Sequence, residues 1–188
     1  MTPTVVDNYV NGAFVAPSTG TYLDVVNPAT DKVIGRVAVS NAADVAQAVD
    51  AAAAALPAWS NLTIKARAAI MLKFHGLLRE HAADLAATIV QENGKNLIEA
   101  LADVAKGNET VEYACSLPQL AAGRTLQVSG AVYCQDRRQP VGVVASIVPF
   151  NFPVGNYCCL WPTYGACWIP YPWAKRAPHG GDITDMVY

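Results

Sequence analysis

Asn151 stands between two phenylalanines and two prolines in Pro149-Phe150-Asn151-Phe152-Pro153, directly after the apolar run of residues 141–148. Such a run suits a parallel strand buried on both faces, and open α/β sheets place their ligands beyond the carboxyl ends of the strands. A side-chain amide at that place has an NH2 group that can donate to negative charge gathering on a carbonyl oxygen, so Asn151 is a candidate oxyanion donor. Pro149 and Pro153 restrict the turn, and Phe150 and Phe152 can keep water away from it. A turn asparagine that bonds its own backbone would use the same residue type, and these five letters alone do not separate the two readings.

Other groups with chemical potential reduce mostly to structure. His75 falls on an apolar helical stripe with no cysteine or serine partner at a recognisable spacing. Cys115 lies in a similar stripe and reads as small core filler. Cys134 belongs to an extended segment and does not look like a nucleophile. The five cysteines form no C-x-x-C pair, so reduced thiols are expected. Cys158, Cys159 and Cys167 with His179 fit no zinc spacing, and no metal site is expected.

Composition narrows the partner. With 188 residues, 53% of them hydrophobic, the chain can build one substantial core or parts of two domains. The net charge of -2 supplies no basic stripe for nucleic acid. No stretch approaches the roughly 20 apolar residues of a membrane helix, so a small molecule or another protein is the expected partner. The N-terminus MTPTVVDNYVNG has neither signal-peptide nor transit-peptide character, which points to the cytoplasm. Neither G-x-G-x-x-G nor G-x-x-x-x-G-K occurs, so neither common phosphate-cradling loop can be invoked.

The elements that must position these groups follow from periodicity. Residues 8–37 alternate in short runs broken by Asn11-Gly12 and Asn27-Pro28, which predicts small antiparallel strands and a hairpin. Ser40 or Asn41 can cap a helix carrying Val45, Val49, Ala52, Leu56 and Trp59 on one stripe. A second helix or helix pair starts near Thr63 and ends at Glu92-Asn93-Gly94. A third runs from about Leu97 through Val104, Asn108 and Val111 to a stop at Pro118 or Gly123. Residues 125–139 read as a polar, projecting strand.

The quoted PFNFP, following RQPVGVV, resembles the P-[WF]-N-F-P signature of the aldehyde dehydrogenase superfamily. NYVNG, VVNPAT, AWS and ENGK fall in the same order and at similar spacing. Within that superfamily the first 153 residues look most like the CoA-acylating methylmalonate-semialdehyde (malonate-semialdehyde) dehydrogenases, on NPAT, QENGKNLIEALADV, VEYACSLPQL and PFNFP. The resemblance implies an α/β fold class: the N-terminal fragment of the aldehyde dehydrogenase fold, with small strands, helices, a projecting arm and the first buried strand of an incomplete doubly wound NAD-binding sheet. It divides the chain into strands and helices of the NAD-binding region at 1–124, an oligomerisation arm at 125–139, the buried strand and PFNFP turn at 140–153, and an aberrant or disordered tail at 154–188.

The chemistry so implied is attack of a cysteine thiolate on an aldehyde, hydride transfer to NAD, and release of the acyl group to coenzyme A. Asn151 would be the oxyanion donor, and Val148, Pro149 and Phe150 would lie against the nicotinamide half of NAD. The branch places a carboxylate-binding arginine in a [DE]-V-x-R-G setting. This chain reads Asp103-Val104-Ala105-Lys106-Gly107, so Lys106 is the substrate-binding candidate with the charge kept and the bidentate fork lost. A solvated helix lysine is the competing reading. The family assembles as homo-oligomers, and the substrate would be a small semialdehyde.

After Pro153 the family's lysine-bearing K-P-S-E turn, its phosphate-proximal Gly-Ser turn and its reactive cysteine find no counterpart. Residues 154–188 instead hold three of the four tryptophans and Pro162, Pro170, Pro172 and Pro178. A frameshift or gene-model error past Pro153 accounts for that break. The expectation is therefore an oxidoreductase portion inactive by itself. The alternatives are a fragment of a hydrolytic NAD-dependent aldehyde dehydrogenase, or a non-catalytic interaction module pairing with an intact homologue.

Overall fold

A computed structural model describes residues 4–136, 138–156 and 158. Strands β1 (Thr4–Val6), β2 (Asn8–Val10), β3 (Ala13–Val15), β4 (Tyr22–Asn27) and β5 (Lys32–Ala38) come first. The β2–β3 hairpin turns on Asn11 and Gly12 with φ of 50° and 82°, both in the left-handed region that a two-residue hairpin turn requires. Across it Tyr9 and Phe14 face each other edge to face, their centroids 5.1 Å apart. Strand β5 pairs antiparallel with β4, as the alternating pattern predicts. It also takes β1 on its other edge in parallel, a crossover the pattern does not reveal.

Helix α1 (Ala42–Ser60) starts at a capping box in which Asn41 accepts from Ala43 and Asp44 N–H groups while Asp44 accepts from Asn41 N–H. Asp44 Oδ1 also accepts from the Ser18 N–H at 2.9 Å, tying the helix start to the loop before β4. Burial opposes ionisation of Asp44, but the donors from Asn41 and Ser18 outweigh it and hold its pKa below the ordinary value. The buried stripe of α1 is Asp44, Ala48 and Ala52, whereas Val49 faces solvent. Of the expected stripe Ala52 is buried, Val45, Leu56 and Trp59 are half-buried and only Val49 is exposed; Asp44, the acid that closes the cap, and Ala48 join the buried face.

Helices α2 (Ile64–Glu80), α3 (Ala82–Asn93) and α4 (Leu97–Cys115) form the core, with α2 and α3 both packed on α4. Met71, Leu78, Ala86, Ile89, Ala100, Val104 and Val111 join there in one cluster. Thr63 caps α2 by accepting from Ala66 N–H, and Asn96 caps α4 by accepting from Glu99 N–H. Gly94, at φ 80°, ends α3 against the turn before β5: a Cβ there would come within 2.8 Å of Pro28 Cγ. A short α5 (Leu117–Leu120) carries Pro118 in its first turn. Strands β6 (Thr125–Ser129) and β7 (Val132–Gln135) then make an antiparallel hairpin that is exposed throughout.

Two expectations are corrected at the C-terminal end. Residues 141–148 form no strand, and Val141 is 83% exposed. The apolar sequence is strand-like, but a buried strand needs neighbours on both edges, and none of β1 to β7 hydrogen-bonds to it. The ordered part does not end at Pro153, because residues 153–156 and 158 are helical, with Val154, Gly155 and Cys158 buried against α4. Proline at the first helical position, where its missing N–H is no loss, explains why the helix begins there. Cys159, Cys167 and His179 lie outside the described residues.

Candidate active-site turn

Three elements converge on residues 149–152. From the end of α3, Asn93 Nδ2 donates to the Phe150 carbonyl oxygen at 3.1 Å. From the helix that follows the turn, Asn156 Nδ2 donates to the Pro149 carbonyl oxygen at 3.1 Å and lies 3.4 Å from Asn151 Oδ1. From α4 comes Asp103, fully buried, whose Oδ1 accepts from the Gly155 N–H at 2.7 Å. Its Oδ2 accepts from Lys95 Nζ at 3.0 Å, and Lys95 Nζ lies 4.3 Å from the centre of the Phe152 ring. A buried carboxylate is costly unless paired and hydrogen-bonded on its remaining oxygen. Asp103 has both.

Asn151 itself is exposed, and its side-chain oxygen is the atom that faces Asn156. Among the described residues its Nδ2 donates no hydrogen bond. Gly107 of α4 makes the close approach of this helix feasible: a Cβ there would lie 3.1 Å from Val154 Cγ1 and from Val154 O, and 3.2 Å from Cys158 Sγ.

Val148 is half-buried, and Pro149 and Phe150 are exposed. These three residues are apolar, and none of them carries a side-chain group that would hold a phosphate. Lys106 lies on the exposed part of α4 and pairs with Glu109 at 2.8 Å, which is how a solvated helix lysine behaves, and its ammonium carries charge all the same. No group of three His, Cys, Asp or Glu side chains capable of holding a metal occurs among the described residues. None of the described helices is long and apolar enough to cross a membrane.

The thiols of the described residues are poorly placed for nucleophilic work. Burial, and secondarily the charge of Glu112, pushes the Cys115 pKa up, and its Sγ donates to the Val111 carbonyl. Cys134 is exposed on β7, and Cys158 is buried under α4. Glu92, one residue before Asn93, has its carboxyl pushed up to about 7 by burial, and its Oε2 has no partner among the described residues. His75 is half-buried, its Nδ1 without a partner among the described residues.

Sequence reasoning singled out Asn151 and missed the groups that hold its turn: Asn93, Lys95, Asp103 and Asn156. For Asp103 a signal existed. It falls beside Ala100, Val104, Gly107 and Val111 on the inward face of α4, and an acid in an apolar stripe requires a partner. For Lys95 and Asn93 the sequence offered only a helix-ending turn.

The pattern of the aldehyde dehydrogenase family matches residues 14–163, continuing past Pro153 rather than stopping there. Malonate-semialdehyde dehydrogenase 1 of Shouchella clausii is 44% identical over 158 residues, which are 84% of this chain and 32% of that protein. Among solved structures, methylmalonate-semialdehyde dehydrogenase of Oceanimonas doudoroffii superposes with a TM-score of 0.83 at 35% identity, covering 87% of this chain and 34% of the other. A protein of Sinorhizobium meliloti assigned the same activity and solved with NAD gives 0.82 at 32% identity, again over 87% and 34%. The chain spans about a third of the length of the curated relatives it matches.

Proposed function

Because this chain belongs to the aldehyde dehydrogenase family, we propose that it is the N-terminal portion of an NAD-dependent, CoA-acylating methylmalonate-semialdehyde dehydrogenase. The observation that carries the reading is Asn151, exposed, accepting at Oδ1 from Asn156 and with no hydrogen bond from its Nδ2 among the described residues, on a turn held from α3 and α4. When bound, NAD supplies the acceptor for the aldehyde hydride.

The chain's own part is electrostatic. Asn151 Nδ2 donates to the aldehyde oxygen as a thiolate, supplied by a more distal segment, adds to the carbonyl carbon and places negative charge on that oxygen. The amide is already oriented, so little reorganisation is required when the charge forms. The ledge of Val148, Pro149 and Phe150 keeps water from the face where the hydride leaves. Lys106 presents a single positive charge to a carboxylated substrate, with weaker discrimination than a two-pronged arginine.

The test is to join this chain in frame to the remaining two thirds of a family member and follow NADH formation from malonate semialdehyde, with and without coenzyme A. Asn151→Ala should lower turnover by about 10² to 10³, the usual effect of removing one oxyanion donor. Unchanged turnover refutes the oxyanion role. Activity indifferent to coenzyme A favours the hydrolytic branch instead. The 188-residue chain by itself should form no NADH.

The exposed β6–β7 hairpin favours a second reading, an interaction module. It docks on an intact homologue through strand pairing and requires no chemistry of its own. Co-purification with a full-length dehydrogenase would support it, and a monomer that ignores such a protein would oppose it.

A further inference from the structure

We infer that Asp103, acting with Lys95, is a positioning residue that sets the conformation of the turn carrying Asn151; this rests on the oxyanion reading of that asparagine. Asp103 is 0% exposed, and both of its oxygens are committed, Oδ1 to the Gly155 N–H at 2.7 Å and Oδ2 to Lys95 Nζ at 3.0 Å. Gly155 follows the turn by three residues. Lys95 grips the turn from the other side, with its ammonium 4.3 Å from the Phe152 ring centre. One buried carboxylate therefore joins α4, the loop between α3 and α4, and the helix start that follows Phe152.

The geometry leaves little room for an alternative arrangement. A Cβ on Gly155 would sit 3.1 Å from Asp103 Oδ1 and 3.6 Å from Phe152 Cβ, so backbone and carboxylate are in close packing there. Asn93 and Asn156 hold the carbonyls of Phe150 and Pro149. Those two bonds fix the backbone before Asn151; the charged pair fixes the backbone after it. A side-chain amide that must meet a developing charge without reorganising needs both sides held. Charge-assisted bonds in a dry site are the strong class of hydrogen bond, and they suit that task.

The test is spectroscopic and uses the full 188-residue chain, 15N-labelled, with no aldehyde or cofactor present. In Asp103→Asn the side chain keeps its size but turns an NH2 toward Lys95. The Gly155 amide proton should move upfield and exchange at least about tenfold faster. The Asn151 side-chain NH2 pair should shift, while amides of Ile89 and Val111 in the helical core hold their positions. If Asp103→Asn does not fold, Lys95→Met carries the test, since that side chain is at the edge of the core, 15% exposed. It should shift Asn151 and Phe152, and Lys95→Arg, which restores a cation that stacks on the ring, should return both toward their original positions. Unmoved Asn151 resonances in the folded variants would overturn the proposal and reduce Asp103 to an anchor for the following helix. A chain that responds as expected, in a joined enzyme indifferent to Asn151→Ala, keeps the positioning role and loses the oxyanion role. The reverse pattern does the opposite.

Discussion

Glu92 and Asp103 are both acids drawn inward, and they differ in their partners. Asp103 has a lysine and a backbone N–H; Glu92 has an oxygen with no partner among the described residues, and burial lifts its pKa to about 7. The sign of the pH effect follows. A carboxyl with a folded pKa above its unfolded value of 4.5 costs nothing at low pH, where both states are protonated. As pH rises from there through about 7, the unfolded state ionises first and stability falls, by roughly 2–3 kcal/mol for a half-buried group. Glu92→Gln mimics the protonated form, so its melting midpoint should match the parent at pH 4 and exceed it at pH 8. Thermal unfolding across that range checks this, and parallel curves would show that Glu92 is better solvated than its burial implies.

At the scale of elements, the short motifs that carried the family resemblance turn out to be places where elements touch. Pro28 of the NPAT turn meets Gly94 of the ENGK turn, and Gly107 of α4 meets Val154 beyond PFNFP. The helices were legible because caps such as Asn41, Thr63 and Asn96 and the apolar stripes act within one or two turns of chain. The β1–β5 pairing and the Asp103 linkage were not legible, since each joins residues some 30 to 50 positions apart with no local trace. Residues 141–148 were misread for the complementary reason: their letters specify a strand whose partners lie outside the described sheets. Gly107→Ala separates local from long-range control. Within an isolated helix alanine gains about 1 kcal/mol over glycine. Here the added methyl meets the Val154 carbonyl oxygen and side chain at 3.1 Å and Cys158 Sγ at 3.2 Å, and crowding of that kind typically costs 1–3 kcal/mol. The net expectation is a small loss of stability, with hydrogen exchange at residues 153–156 accelerating more than in α2. Uniform slowing would show that propensity wins.

For the molecule as a whole, the central question is what covers the apolar surface left open. The helical core buries its own stripe. By contrast Leu126 and Val132 on the hairpin are 64% and 52% exposed, and Ile147, Phe150 and Phe152 are open beyond it. Scattered exposed apolar side chains are ordinary, but a hairpin whose outer edges pair with no strand among the described residues, next to an apolar segment, is a template for further strand pairing. Either a distal segment, a second copy or an intact homologue would satisfy it, and each of the three would compete with self-association. Replacing Leu126 and Val132 together by lysine puts charge on the hairpin without touching α1 to α4. Helical content and melting temperature should therefore stay within a few degrees of the parent, while the fraction of assembled material at equal concentration falls, as sedimentation velocity would read. If assembly is unchanged, the hairpin is not its route, and residues 141–152 become the surface to substitute next.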